Sequence, residues 1–303
     1  MSKIISAVPN ICEGKDEKLI FEIVDKLKKV KGLILLDVSS DTSRNRTVFS
    51  FTGTTDVLME AGFVLYEETL KRIDMRRHKG SYPRIGAVDV FPFVPLKDVS
   101  IAEAVDLSVN FAEKVAERFR IPVYLFAESA RFSNRRSIEN IRKGEYESLE
   151  EKMRSPGWKP DLGPLEFKAD SGATIIGARY PLISFKVHMN SNDLATAEII
   201  AGDLDKLPYV NCHAGIDGKS KNIHLVVSIT NYRANPMYRV LEAAKTEAKR
   251  FGLSVQKVEM IGLIPEIAFV ESALYYMNIH RFPMDRLLER TIQNRLAEEL
   301  FLE

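Results

Sequence analysis

The sequence predicts an α+β protein built from two ferredoxin-like units. Three observations predict it. Segments of strand and helix character run in the order β-α-β-β-α-β, and that order occurs twice. A stretch rich in Pro and Gly separates the two runs. The chain has 303 residues, 45% hydrophobic and 28% charged, a length that suits two subdomains with a core each.

The first run begins with a strand over Ile4–Val8. A helix follows over Asp16–Val30, because Leu19, Ile20, Ile23, Val24, Leu27 and Val30 fall on one face. Leu33–Val38 is an apolar run of strand length, and Arg46–Phe51 alternates in β-formers. Thr54 starts a helix reaching about Asp74, with Val57, Leu58, Ala61, Val64 and Leu65 inward; Val88–Val94 is the closing strand.

The second run has strands over Leu182–Met189, Tyr209–Cys212, Ile223–Ile229 and Val255–Ile261. Its helices cover Asp193–Asp203 and Pro236–Phe251, the latter opened by proline and followed by Gly252. Between the runs lie a helix, Ile101–Arg118, and a strand, Val123–Phe126. The segment Ser155–Pro164 is too rich in Pro and Gly for regular structure, yet it carries the single tryptophan, so a folded binding loop is favoured over a free linker. Met284–Leu302 reads as an amphipathic tail helix in which Leu287, Leu288, Ile292, Leu296 and Leu300 pack.

A net charge of +1 gives no global attraction to nucleic acid or to a membrane surface. No apolar run is long enough to span a bilayer, and a cytoplasmic location is the expectation. Cys12 and Cys212 are far apart and set no metal-ligand spacing, and His78, His188, His213, His224 and His280 contain no i,i+4 pair; no metal is expected.

The candidate chemistry is carried by loops. Arg76–Gly86 gathers four cations, His78, Tyr82, two glycines and Pro83 between a helix and a strand. Further cations stand at element junctions: Arg44 and Arg46, Arg131, Arg135 and Arg136, and Arg179. Together they suit a polyanionic small molecule, because guanidinium presents a planar fork to carboxylates. Asn10 and Glu13 lie where the first strand meets the first helix, and either serve that helix start or meet a ligand there. Asp89, inside an apolar strand, needs a partner, for which Arg84 is one candidate.

These residues resemble the formiminotransferase domain of the glutamate formimidoyltransferases. The likeness rests on Val8-Pro9-Asn10 with Glu13-Gly14-Lys15, Asn45-Arg46-Thr47, His78-Lys79-Gly80, Pro83-Arg84, Asp89-Val90, Gly144-Glu145-Tyr146, Gly163-Pro164 and Gly177-Ala178-Arg179. It runs through the first half and continues more weakly through Val240–Ala248 and Gly262–Pro265.

The resemblance implies two subdomains, 1–179 and 180–303, with mixed or antiparallel sheets facing each other. It implies transfer of a formimino (or formyl) one-carbon unit between a glutamate derivative and N5 of tetrahydrofolate, in histidine degradation, by a homodimer without a metal. The family's folate segment falls on Gly163, Pro164, Leu165, Glu166, Phe167, Lys168, Ala169, Asp170, Ser171 and Gly172, and substrate contacts on Asn10, Arg46, Lys79, Arg84 and Arg179. The family's catalytic histidine falls on Tyr82. An imidazole accepts a proton near neutral pH, whereas a phenol chiefly donates one, so His78 is a second candidate for proton transfer. Ser39 stands where the family has an assisting aspartate, and Asp41 is the candidate replacement. The alternatives are a folate-binding protein without formimidoyl transfer, or a relative acting on 5-formyltetrahydrofolate.

Overall fold

The computed structural model of the chain describes residues 3–217 and 222–300, without the side chains of 294 and 296–300. The described chain forms two compact units, Met1–Tyr180 and Pro181–Glu303.

The first unit contains β1 (Ile4–Ala7), β2 (Asn10–Ile11), α1 (Glu17–Leu27), β3 (Ile34–Asp41), β4 (Arg46–Gly53), α2 (Thr55–Leu70), β5 (Val88–Lys97), α3 (Ile101–Phe119), β6 (Val123–Ala127), α4 (Ile138–Arg142), α5 (Leu149–Arg154) and β7 (Thr174–Ala178). Strand β4 pairs antiparallel with β3, β1 and β2, and β1 and β2 pair antiparallel with β5. This is the ferredoxin-like arrangement that the alternation of elements predicts. The helix α3 and the strand β6 do not lie between the units. They belong to the first one: β7 runs parallel to β5, β6 runs parallel to β7, and the sheet is lengthened on that side.

Proline divides the first strand. Pro9 has no N–H to give the ladder, and the chain rejoins the sheet beyond it as β2. Asn10 is therefore a buried sheet residue between β4 and β5, not part of the turn into α1. That turn is served by Glu13, whose Oε1 accepts the N–H groups of Gly14, Lys15 and Asp16 at 2.9, 2.7 and 2.9 Å. Asp16 then caps α1 by accepting from Leu19 N at 2.9 Å.

Helices α2 and α3 supply the apolar layer over the sheet, where Phe91 of β5 meets Phe111 of α3 with ring centroids 4.6 Å apart. Helix α2 ends at Leu70, short of the expected Asp74, in a tighter turn from Arg72 N to Thr69 O at 3.1 Å, and Met75 beyond it gives its N–H to the carbonyl of Asp170 at 2.7 Å.

The second unit contains β8 (Ile183–Met189), α6 (Leu194–Leu204), β9 (Val210–Ile216), β10 (Ile223–Ile229), α7 (Met237–Arg250) and β11 (Val255–Ile261). Its strands lie in the order β11-β8-β10-β9, all antiparallel, with Ile183, Phe185, Val187 and Met189 turned into the core. Two helices follow, α8 (Glu266–Tyr276) and α9 (Leu288–Leu300). Of the residues expected to pack in the tail helix, Leu287 is half-buried just before α9 and Leu288 and Ile292 are exposed, while Leu296, Leu300 and the expected end at Leu302 lie outside the described residues or side chains.

The segment before β7 is anchored at several points. A short 3₁₀ turn covers Pro156–Trp158, and the Trp158 carbonyl accepts from Tyr124 Oη at 2.6 Å. Lys152 Nζ stands 3.9 Å from the Trp158 ring centre. Arg135, which the sequence marks among the cations for a ligand, is fully buried here instead. It pairs with Asp161 Oδ2 at 2.6 Å and donates to the carbonyls of Gly157 and Lys159 at 3.1 and 2.7 Å. Arg136 likewise pairs with Glu128 at 2.7 Å. Replacing Arg135 by Met strands a buried carboxylate, and a loss of about 3–5 kcal/mol is expected. Urea unfolding followed by circular dichroism measures it, as a lower midpoint at unchanged slope.

Candidate functional site

The lead-in to β5, residues 73–87, is held by backbone from two other places. The hairpin between β3 and β4 supplies one. Asn45 sits there at φ 50°, a left-handed conformation that asparagine tolerates. Its Nδ2 donates to the carbonyl of Lys79 at 3.0 Å, its Oδ1 accepts from Gly14 N at 2.9 Å, and its carbonyl meets His78 Nε2 at 3.0 Å. The second anchor is the segment Gly163–Gly172. Ser171 O accepts from Ala87 N at 2.9 Å, Gly172 bridges Gly86, and Gly172 N donates to Lys168 O at 2.6 Å. Gly172 adopts φ +69°, and a Cβ on Gly86 would lie 2.0 Å from the carbonyl oxygen of Ala173, so both positions demand glycine. Within the segment Leu165 is exposed, Phe167 packs beside Tyr146 at 5.5 Å, and Tyr146 Oη donates to the carbonyl of Ala169.

Tyr82 stands among three guanidinium groups. Arg46 lies 4.1 Å from the ring centre, Arg142 5.1 Å and Arg44 5.8 Å. Arg142 Nη1 donates to the phenol oxygen at 3.2 Å. Arg46 also donates through Nη2 to Asn10 Oδ1, while Asn10 Nδ2 donates to the carbonyl of Val8 at 3.0 Å. Both Arg46 Nε and Arg142 Nε are buried without a hydrogen-bond partner.

Asp89 receives Arg142, not Arg84. Its Oδ2 accepts from Arg142 Nη2, and its Oδ1 accepts from Ile85 N at 2.9 Å. Arg84 is turned instead to two acids from the segment between α4 and α5. Nη1 donates to Glu145 Oε2 at 2.6 Å and to Glu147 Oε2 at 2.8 Å, and Nη2 donates to Glu147 Oε1 at 2.6 Å. Glu145 holds φ 56°, ψ −167°, a region nearly reserved for glycine, at a cost of about 1–3 kcal/mol. An open cavity of about 490 Å³ is lined by Lys79, Gly80, Arg84, Gly144, Glu145 and Glu147.

His78 is engaged at both ring nitrogens. A carbonyl can only accept, so Nε2 carries the proton given to Asn45 O, and Nδ1 accepts from Arg84 Nε at 3.4 Å. Burial, with the Arg84 cation adding to it, holds the imidazole below its usual pKa and favours the neutral ring.

Of the candidate residues, Asn10, Arg46 and Tyr82 come together, and Lys79 and Arg84 line the cavity, with His78 in contact with Arg84. Asp41 belongs to neither. Its Oδ1 accepts from Ser43 N, Ser43 Oγ and Arg44 N at 2.9, 2.7 and 2.9 Å, which closes the hairpin and keeps the carboxylate below its usual pKa. Arg179 gives its N–H to Phe93 O and its Nη1 to Tyr180 O, both at 3.0 Å. Sequence reasoning missed Arg142, Glu145 and Glu147. The run Gly144-Glu145-Tyr146 was a signal for Glu145; Arg142 lies on a five-residue helix, too short to leave a period.

Two ferredoxin-like units, the first enlarged by two parallel strands and bearing a cavity of mixed charge where its chain enters β5, define a duplicated α+β protein with a loop-built site. The family profiles described as "Formiminotransferase domain, N-terminal subdomain" and "Formiminotransferase domain" match residues 4–179 and 216–294. The chain belongs to the formiminotransferase family. It is 36% identical to the glutamate formimidoyltransferase of Streptococcus pyogenes serotype M1, over 93% of this chain and 96% of that protein. It is 34% identical to the glutamate formimidoyltransferase of Thermoplasma acidophilum, over 96% and 97%. With the formimidoyltransferase-cyclodeaminase of Dictyostelium discoideum it shares 34% identity, over 91% of this chain and 53% of that protein.

The His78 environment makes a pH prediction. The unfolded imidazole protonates as pH falls below about 6.5, whereas the folded one protonates only at lower pH. Its contribution to stability is therefore present above about 6.5 and is lost as pH falls from there through the folded value. Urea midpoints measured from pH 8 to pH 5 decline for the wild type, and the decline is shallower in His78→Gln.

Proposed function

We propose that this protein transfers a formimino unit between a glutamate derivative and N5 of tetrahydrofolate, with tetrahydrofolate as co-substrate. One observation carries the reading: 36% identity to a glutamate formimidoyltransferase that extends over nearly the whole of both chains. The site is consistent with it. Attack by N5 on the formimino carbon forms one C–N bond, and the bond from that carbon to the glutamate nitrogen then breaks. One proton passes from N5 to the departing nitrogen. Tyr82 is the proposed relay: its oxygen accepts from Arg142, which leaves the phenol hydrogen free to point elsewhere. Gly163–Gly172 is the proposed folate segment, and it is fixed to the same loop that carries Tyr82 and Arg84. Lys79 and Arg46 are the proposed contacts for substrate carboxylates. Arg84 already has its fork filled by Glu145 and Glu147, so its proposed part is to hold the cavity wall.

The test is an absorbance assay with formiminoglutamate and tetrahydrofolate. Formation of 5-formiminotetrahydrofolate is expected, and Tyr82→Phe should lower kcat by about 10²–10⁴-fold, the usual worth of a positioned acid or base. Tight folate binding with no transfer, in the wild type and in Tyr82→His alike, would instead favour a folate-binding protein.

A further inference from the structure

We propose that Arg142 is the positioning residue for Tyr82. It is held in place by Asp89, orients the phenol O–H into the site, and stabilises the oxygen when that proton leaves. The inference rests on the transfer reading above and assigns the proton relay a second residue.

The geometry carries it. Arg142 lies on α4 and is almost wholly buried, as is Asp89 on β5. A buried cation is held only where its charge is matched. Here the guanidinium is split between two tasks: Nη2 binds Asp89, and Nη1 donates to the Tyr82 oxygen at 3.2 Å. Asp89 cannot turn away, because its other oxygen receives Ile85 N from the lead-in to β5. Three points thus fix the guanidinium plane: a strand carboxylate, the phenol, and a short helix. The groups around the phenol are Arg44, Arg46 and Arg142, with Asp89 behind Arg142 and the Cys12 thiol near it, donating to Gly86 O at 3.2 Å. Of the three cations, Arg142 is the one with a hydrogen bond to the phenol oxygen. During transfer the phenol gives its proton to the glutamate nitrogen as the C–N bond breaks. The phenolate, beside Arg142, then takes the proton that N5 loses. A fixed donor at the oxygen where charge develops lowers the barrier without reorganisation.

Two measurements on the full chain test this. The first needs no turnover: tyrosine labelled with ¹³C at Cζ, with the Tyr82 signal assigned by its loss in Tyr82→Phe. In Arg142→Gln that signal should move at fixed neutral pH, because the phenol oxygen loses the hydrogen bond that Arg142 donates to it. The second is kinetic. Arg142→Gln should lower kcat about 10²-fold, and the loss should vanish in the Tyr82→Phe background, as for residues that act as a unit. Arg142→Lys keeps a cation beside Asp89 if the Gln variant does not fold; one ammonium cannot bridge both partners, so at least about a tenfold loss of kcat is expected. An unchanged ¹³C chemical shift, or equal kinetic losses in both backgrounds, overturns the proposal. A wild type without transfer overturns only the function reading, because the ¹³C measurement still decides the placing of Arg142.

Discussion

A single buried ion pair organises the first unit's site. Asp89 stands in the buried part of a central strand, where a carboxylate without a partner is too costly to keep. It obtains two partners from opposite directions in sequence, Ile85 N just before the strand and Arg142 far beyond it. The first turns the chain sharply into β5. The second draws α4 over the sheet edge and, with it, the segment bearing Glu145 and Glu147. Arg84 and Tyr82 are then positioned from both sides. Asp89 thus links backbone geometry to the placing of charge, which is why an ion pair with little net worth for stability is still informative about the site.

Much of the fold was readable because its signals are periodic. In β8 apolar and polar residues alternate, in β10 they do so except at Val226, and the core takes Ile183, Phe185, Val187 and Ile223, Leu225, Val227 as that alternation requires. Several elements were not read, four of them short or masked, and α8 (Glu266–Tyr276) was missed as well. Strand β2 is two residues long and follows a proline, so it offers no period. Strand β7 closes a run rich in Pro and Gly, whose composition masks it. Helices α4 and α5 have five and six residues, too few to show a 3.6-residue repeat. The ends of α1 and α2 were overestimated because the apolar period runs on through the tighter turns that close them, Lys29 N to Lys26 O at 3.2 Å and Arg72 N to Thr69 O at 3.1 Å.

The site divides in the same way. The residue types that gather there were legible, since cations, a phenol and glycines cluster between helix and strand. Which charge pairs with which was not. Arg142 and Asp89 are 53 positions apart, Arg84 and Glu147 63, and nothing local distinguishes Arg84 from Arg142 as the partner of Asp89. The same gap explains Arg135. On sequence it belongs with the ligand cations; in the fold it is a clamp that closes the segment before β7 around Asp161.

Trp158 has a consequence of a different kind. It is the chain's one indole, it lies in the first unit, and a lysine ammonium stands against its face. The second unit has only tyrosines as emitters at longer wavelength than phenylalanine. Tryptophan emission therefore reports the loosening of one half of the molecule, while backbone ellipticity averages over both. Any separation between the two melting curves measures how independently the halves come apart, with no label added to the chain.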